Sequence, residues 1–310
     1  MKTSIVMATY NGKDYLYEQL DSIRDQSMKA DEVLFFDDGS TDGTVDMVNA
    51  YILKNHLSDT WHMTVNAHNL GYADNFHKAM MAASGEYIFF CDQDDIWMPD
   101  KIFKTVKIMD QHPEIKLLCT DYEPFASAEN APKVPRKIMK NMRGDGSVQK
   151  LELCPANLYI ASLGCVMCFT SAFRDAIEPY WKSGWAHDDY VWKMAQCEDG
   201  CYVYHEPLIR RRLHGHNVSM KKLHAYDARI SYFCNLKISH LQMLKYARDH
   251  SLCKKSIRFL ERCVKADEMR KELLEKRKFS NCLKLLFYAD CYHSPKSLLM
   301  EPYMALKHKR

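Results

Sequence analysis

Apolar residues along this chain fall into short runs of strand length, separated by stretches in which they recur at helical spacing. Runs at 4–8, 32–36, 61–65, 87–91 and 115–120 read as strands. Between them, Tyr15, Leu16, Leu20 and Ile23, then Val45, Met47, Val48, Tyr51 and Ile52, then Asn75, Phe76, Ala79, Met80 and Ala83 mark one face of three successive helices. Strand and helix alternate through residue 110, which predicts a parallel, Rossmann-like sheet with right-handed crossovers. The run from Tyr87 to Cys91 carries no charge and is aromatic or β-branched almost throughout, as expected of a strand buried on both faces.

Beyond that point the pattern loosens. Residues 126–150 are rich in Pro, Lys, Gly and Asn and read as a long surface excursion, a candidate functional flap. Apolar residues return at 161–170, a late strand is expected at 202–204, and residues 208–219 end the body. From 221 onward Ile230, Phe233, Leu236, Ile238, Leu241 and Leu244 recur at helical spacing, followed by an amphipathic piece at 282–304. The expected division is therefore an α/β domain over 1–220 and a helical C-terminal region over 221–310.

Charge sharpens that division. Residues 1–220 hold 22 Lys and Arg against 31 Asp and Glu, a net −9, whereas 221–310 hold 21 against 9, a net +12. A basic tail beside an acidic body suits either an anionic membrane surface or packing onto the body itself. No nucleic-acid partner is implied. No stretch reaches the roughly 18 uncharged apolar residues of a membrane span, and the N-terminus enters a strand without signal-peptide architecture, so a cytoplasmic location is expected. The twelve cysteines then read as reduced thiols, with Cys165 and Cys168 as buried structural thiols rather than a zinc pair.

Candidate chemistry lies where strands stop. The 87–91 strand runs into Asp92, Gln93, Asp94 and Asp95, and the 32–36 strand into Asp37 and Asp38. In open α/β sheets ligands bind outside the carboxyl ends of the strands, where crowded acids repel one another unless a cation sits among them. Hard oxygen ligands there suit Mg²⁺ or Mn²⁺ bridging a diphosphate. The sequence has no Gly-x-Gly-x-x-Gly after the first strand and no Gly-Lys-Ser/Thr, so dinucleotide and P-loop signatures are both missing.

In order along residues 3–220 stand Ala8-Thr9-Tyr10-Asn11-Gly12, then Asp37-Asp38-Gly39-Ser40-Thr41-Asp42-Gly43-Thr44, then Asn69-Leu70-Gly71 with Asn75. Asp92-Gln93-Asp94-Asp95, His187-Asp188 and Arg212-Leu213-His214 with Asn217 complete the set. Together they resemble the family 2 inverting glycosyltransferases, and Cys-Asp-Gln-Asp-Asp-Ile-Trp resembles their bacterial rhamnosyltransferase-type branch. The resemblance implies the GT-A fold, a Rossmann-like, mostly parallel sheet flanked by helices, here with a C-terminal helical extension. It implies a UDP- or dTDP-sugar donor held by Thr9, Tyr10, Asn11, Asp37, Asp38, Asn69, Gly71, Asn75, Asp92 and Gln93, with Asp37 accepting from the base. Asp92 and Asp94 would hold the metal, Asp94 more directly.

The resemblance also makes Asp188 the catalytic base, with His187 standing where the family usually has Glu. Arg212 and His214 could close over the diphosphate, since an Arg supplies charge that does not titrate near neutral pH. The acceptor would be a glycan, with the basic tail suggesting a lipid-linked one at the inner membrane face. Two alternatives stay open at this level: a sugar-1-phosphate nucleotidyltransferase, although Thr9-Tyr10-Asn11-Gly12 lacks its basic Gly-rich loop, and a catalytically silent sugar-nucleotide-binding partner of a polysaccharide assembly complex.

Overall fold

The computed structural model describes residues 2–307 except 128–130, 132–133, 135–138, 140, 161, 215–225 and 293–294. The chain opens as β1 (Thr3–Thr9), α1 (Lys13–Arg24), β2 (Glu32–Asp37), α2 (Thr44–Lys54), β3 (Trp61–Val65), α3 (Tyr72–Ala82) and β4 (Tyr87–Cys91). It continues as β5 (Ile96–Trp97), α4 (Lys101–Gln111), β6 (Leu117–Ala126), β7 (Val148–Lys150), β8 (Met167–Thr170), α5 (Ser171–Ile177), α6 (His187–Cys197) and β9 (Cys201–Leu213). Four helices follow: α7 (Tyr226–Asp249), α8 (Lys254–Lys276), α9 (Ser280–Leu285) and α10 (Pro295–Lys307).

The sheet runs β3-β2-β1-β4-β8-β6-β9-β5, with β7 beside β9. β3, β2, β1 and β4 are mutually parallel, and their register pairs Thr9 with Asp37, Asp37 with Val65, and Met7 with Cys91. That register aligns the carboxyl ends of β1, β2 and β4, so the loops beginning at residues 10, 38 and 92 share one edge. The expectation of a mostly parallel sheet needs a correction beyond β4. β8 lies antiparallel between β4 and β6, and β5 and β7 are antiparallel to β9. β8 follows a long excursion instead of a strand–helix–strand crossover, so nothing local fixes its direction.

The late strand is also much longer than the expected 202–204. β9 runs thirteen residues alongside β6, with register shifts around Asp121, and its Arg-rich end pairs with β5, Ile96 opposite Arg210 and Trp97 opposite Ile209. Its Tyr, His and Arg residues hid the strand from an apolar pattern, because the backbone ladder sets it there. Ten residues of the 126–150 excursion, together with His216, Asn217 and the 220/221 boundary, lie outside the described residues.

β4 is buried along its whole length, and one hydrophobic core continues from the sheet into the C-terminal helices. α7 packs on α6 and the body, burying Phe233, Leu236, Met243 and Ala247. Polar ties also join the body to the C-terminal region: Lys193 Nζ donates to Ser239 Oγ (2.9 Å) and Tyr180 Oη to Asp249 (2.9 Å) on α7, and Tyr159 Oη to the Cys291 carbonyl (2.9 Å) further on. The basic region is thus docked on the acidic body. Inside it, His240 meets Asp267 at 2.6 Å and Arg270 meets Glu301 at 3.2 Å, all four buried. No helix among the described residues is long and apolar enough to cross a membrane.

Candidate active site

Three loops at the aligned edge are locked together by side-chain carboxylates and amides. Asp37, fully buried, accepts from Thr9 Oγ1 (2.9 Å), Ser40 Oγ (2.6 Å) and the Gly39 and Ser40 amides (3.1 and 2.8 Å). Both its oxygens are engaged, so it orders the loop after β2. A base N–H reaching Asp37 would have to take a place that Ser40 or the loop amides now hold. Asp38 accepts from Asn66 Nδ2 (3.0 Å) and the Leu70 and Gly71 amides (2.7 and 2.8 Å), while Asn69 Nδ2 donates to the Asp38 carbonyl (2.8 Å). Asn75 donates to the Phe36 carbonyl (2.8 Å) and accepts from Asn66 (2.8 Å). Asp38, Asn69, Gly71 and Asn75 therefore act as ties between the loops after β2 and β3.

The first loop is fixed on both sides. Asn11 sits at φ 47°, in the left-handed region that Asn tolerates better than most residues, and its Oδ1 accepts from the Thr41 amide at 2.9 Å. Gln93 exchanges hydrogen bonds with Tyr10, accepting from its amide (3.0 Å) and donating to its carbonyl (3.1 Å). A Cβ on Gly12 would come within 2.2 Å of Gln93 Oε1, which explains the glycine. The Tyr10 side chain is left half exposed over this bed.

Asp92, Asp94 and Asp95 come together as expected, but with different partners. One oxygen each of Asp92 and Asp95 and the Cys165 Sγ lie within 4.8 Å of one another. Asp94 Oδ2 meets His214 Nε2 at 2.7 Å. The expected metal pair of Asp92 and Asp94 is thus divided: Asp92 groups with Asp95 and Cys165, whereas the Asp94 carboxylate turns to His214. All twelve cysteines are free thiols. Burial and the Asp94 and Asp95 charges push Asp92 well above the usual carboxylate range, and burial with the Asp94 charge pushes Asp95 up to about 7. Oδ2 of Asp95 is buried with no hydrogen-bond partner. Crowded, desolvated carboxylates with an orphaned oxygen fit a divalent cation; two carboxylates beside a thiol suit Mn²⁺ somewhat better than the harder Mg²⁺.

β9 supplies the opposing charge. The β5–β9 ladder brings Arg212 to the acids, where its amide donates to Asp95 Oδ1 (2.9 Å) and its Nε to the Asp94 carbonyl (2.9 Å). Its guanidinium pairs with Glu18 and lies over Tyr15 and Phe125, and the His214 ring stacks on Tyr15 at 4.7 Å. In this arrangement Arg212 and His214 brace the acidic loop. Arg211, buried, is a neighbouring cation whose charge bears on Asp92 and Asp95.

α6 presents Asp188 from across the site. Gly164 allows the approach: a Cβ there would lie 2.7 Å from His187 Nε2 and 3.5 Å from Asp188 Cβ. Burial, reinforced by Asp189, raises Asp188 to about 6, while one of its oxygens accepts from the Asp189 amide at 2.8 Å. His187 is buried and stacked on Phe76 at 3.9 Å, and burial lowers it to about 3, so its ring is neutral. Asp189, next after Asp188, accepts from Trp185 Nε1 and Lys193 Nζ, both at 2.8 Å. Successive side chains on a helix point about 100° apart, which separates the three roles. The sequence reading missed Cys165, Glu18 and Lys193. A lysine four residues after Asp189 was the visible signal for the last.

Comparison with known proteins places this architecture. Residues 4–179 match Glycosyl transferase family 2. The chain is 34% identical over 108 residues to the UDP-Glc:alpha-D-GlcNAc-diphosphoundecaprenol beta-1,3-glucosyltransferase WfaP of Escherichia coli, covering 34% of this chain and 41% of WfaP. It is 40% identical over 97 residues to the poly(ribitol-phosphate) beta-glucosyltransferase of Bacillus spizizenii, covering 31% of this chain and 15% of that one. These alignments span less than half of the relatives' length. Among solved structures, S. aureus TarS 1-349 in complex with UDP superposes with TM-score 0.64 at 16% identity, covering 100% of this chain and 93% of that one. The mannosyltransferase PcManGT from Pyrobaculum calidifontis, in complex with GDP-Man and Mn²⁺, gives TM-score 0.51 at 20% identity over 98% and 80%. The fold is GT-A, the nucleotidyltransferase alternative is set aside, and the chain belongs to glycosyltransferase family 2.

Proposed function

We propose that this chain is a metal-dependent, inverting glycosyltransferase that moves a sugar from a UDP- or dTDP-sugar to a glycan acceptor in cell-surface polysaccharide synthesis. The observation that carries the reading is the pairing of a crowded acid cluster, Asp92 and Asp95 with the Asp94 charge beside them, with a separate recessed carboxylate, Asp188, approaching past Gly164. A cation held by Asp92, Asp95 and Asp94 would neutralise the departing diphosphate. Asp188 takes the proton of the incoming acceptor hydroxyl, and as a carboxylate titrating near 6 it is ionised at neutral pH yet basic enough for the task. Neutral, aromatic-packed His187 fixes the start of α6 and takes no proton.

The loops carrying Thr9, Asn11, Asp37, Asp38, Asn69, Gly71 and Asn75 form a preorganised bed for the nucleotide, with Tyr10 and Gln93 at its surface. The uridine ligand named for TarS and the donor and lipid diphosphate named for WfaP support a UDP-type donor and a lipid-linked acceptor. The Mn²⁺ named for PcManGT supports the metal. The rhamnosyltransferase-type resemblance of residues 91–97 favours a deoxysugar donor of the dTDP class as the second choice. The enzyme then works on the cytoplasmic side of the membrane, in peripheral contact through its basic C-terminal helices.

Thermal stabilisation by UDP, dTDP and GDP, with and without Mn²⁺, tests the site, since a ligand that binds only the folded state raises its stability by mass action. A Mn²⁺-dependent rise with UDP or dTDP is expected in the parent, and Asp94→Asn should lose it while keeping its own melting temperature. An equal response of Asp94→Asn, or stabilisation that ignores Mn²⁺, would remove the metal from the proposal.

A further inference from the structure

The C-terminal helices bury one face and leave the other strongly apolar. α9 and the 3₁₀ turn after it (Leu286–Cys291) turn Leu285 and Cys291 into the core, while Leu283, Leu286 and Phe287, three and four residues apart, point outward. α10 buries Ala305 and Glu301 and exposes Leu299, Tyr303 and Leu306, at the i, i+4, i+7 spacing of one helix face. Phe287 is 79% and Leu299 76% exposed. Isolated exposed apolar residues are ordinary on protein surfaces, but six large ones on two adjoining amphipathic segments are not.

The charge around them is one-sided. Residues 276–310 carry eight Lys and Arg against two acids, Asp290 and Glu301. Asp290 pairs at the surface with Arg262, and buried Glu301 pairs with Arg229 and Arg270; among the bases, Lys276 and Lys278 pair with Glu272, while Lys284 and Lys307 are exposed. Lys284 lies beside Leu283 and Leu285 in sequence, and Lys307 follows Leu306 at the end of α10. The face therefore offers apolar side chains together with net positive charge.

We propose that this outward face of α9, the following 3₁₀ turn and α10 is a docking surface for an anionic lipid bilayer, on which the helices lie flat without spanning it. The inference deepens the lipid-linked-acceptor reading above, but stands on its own observation, the exposed apolar and basic face. An interfacial helix buries its apolar side in the acyl boundary while lysines meet anionic headgroups, which is the composition seen here. Tyr303 suits the headgroup level, where a ring with a polar tip is at home. A second copy of the chain fits less well, because bringing two such faces together would oppose the exposed Lys284 and Lys307 of one copy with those of the other.

The test is co-sedimentation of the full chain with phosphatidylcholine vesicles, with and without phosphatidylglycerol, at low and high salt. Binding that requires phosphatidylglycerol and weakens with salt is expected. The double variant Leu283→Ser, Phe287→Ser should bind roughly tenfold or more weakly for each side chain withdrawn from lipid. Its melting temperature and its response to UDP should not change, because both side chains are exposed and outside the site. No binding to phosphatidylglycerol vesicles, or undiminished binding by the variant, overturns the proposal. So does concentration-dependent dimerisation, abolished by the variant, in a chain that ignores vesicles. Donor stabilisation is read separately, so failure of the lipid surface and failure of the glycosyltransferase reading are distinguishable.

Discussion

Replacing Asp188 by Asn removes one negative charge while keeping an oxygen to accept the Asp189 amide, so its effects should separate catalysis from folding. If Asp188 accepts the acceptor's proton, turnover should fall by about two to four orders of magnitude, the usual contribution of a positioned base, with donor affinity little altered. Stability should move the other way. Burial raises Asp188 from 3.8 to about 6, so the folded state holds this proton more tightly than the unfolded chain does. Folding is therefore favoured by this group below pH 3.8, and that advantage is lost as pH rises through about 6. At about 1.4 kcal/mol per pKa unit the ionised carboxylate costs the parent at most ~3 kcal/mol at pH 8, and residual solvent access at Asp188 lowers this to about 1–2 kcal/mol. Urea unfolding of both proteins at pH 4 and pH 8 measures it. Asp188→Asn should match the parent at pH 4 and exceed it at pH 8. A variant that transfers sugar at the parental rate, or one whose stability tracks the parent at both pH values, would refute the assignment of a strained, functional carboxylate.

Two further outcomes follow from the same region. Gly164→Ala places a methyl 2.7 Å from His187 Nε2, against a ring already stacked on Phe76, so denaturant unfolding should show a loss of about 1–3 kcal/mol and turnover should drop as Asp188 is displaced. Lys193→Met keeps the volume but removes the cation that ties Asp189 to Ser239 and favours ionised Asp188; Asp189, His187 and Tyr72 remain beside the base, with Asp92 across the site. Its acid limb in kcat/KM should move above the parental position near pH 6, whereas a merely structural role would lower activity without moving the limb.

The sequence by itself determined the parallel half of the sheet. Period and charge are local properties, and residues 61–65 and 87–91 have the bounds that β3 and β4 adopt because nothing distant competes with an uncharged β-branched and aromatic run. It also placed acids at the ends of β2 and β4, since a buried strand that stops in carboxylates does so whatever surrounds it. The sequence could not say what each acid touches. Asp37 and Asp38 are adjacent, yet one closes its own loop and the other ties down the loop after β3, a division set by the β1–β2–β3 register.

Tertiary structure alone brought Arg212 and His214 to Asp94 and Asp95, across more than a hundred residues, through a two-residue strand too short to leave a periodic signal. It alone put Cys165 beside the acids and reversed β8 between β4 and β6, because strand direction after a long excursion depends on the partners available and not on the strand's own residues. The fate of the basic tail was decided the same way. Its charge excess was countable from the sequence, but only packing shows that one side of the C-terminal helices is spent on the body while the side bearing Leu283, Phe287 and Leu299 is left outward.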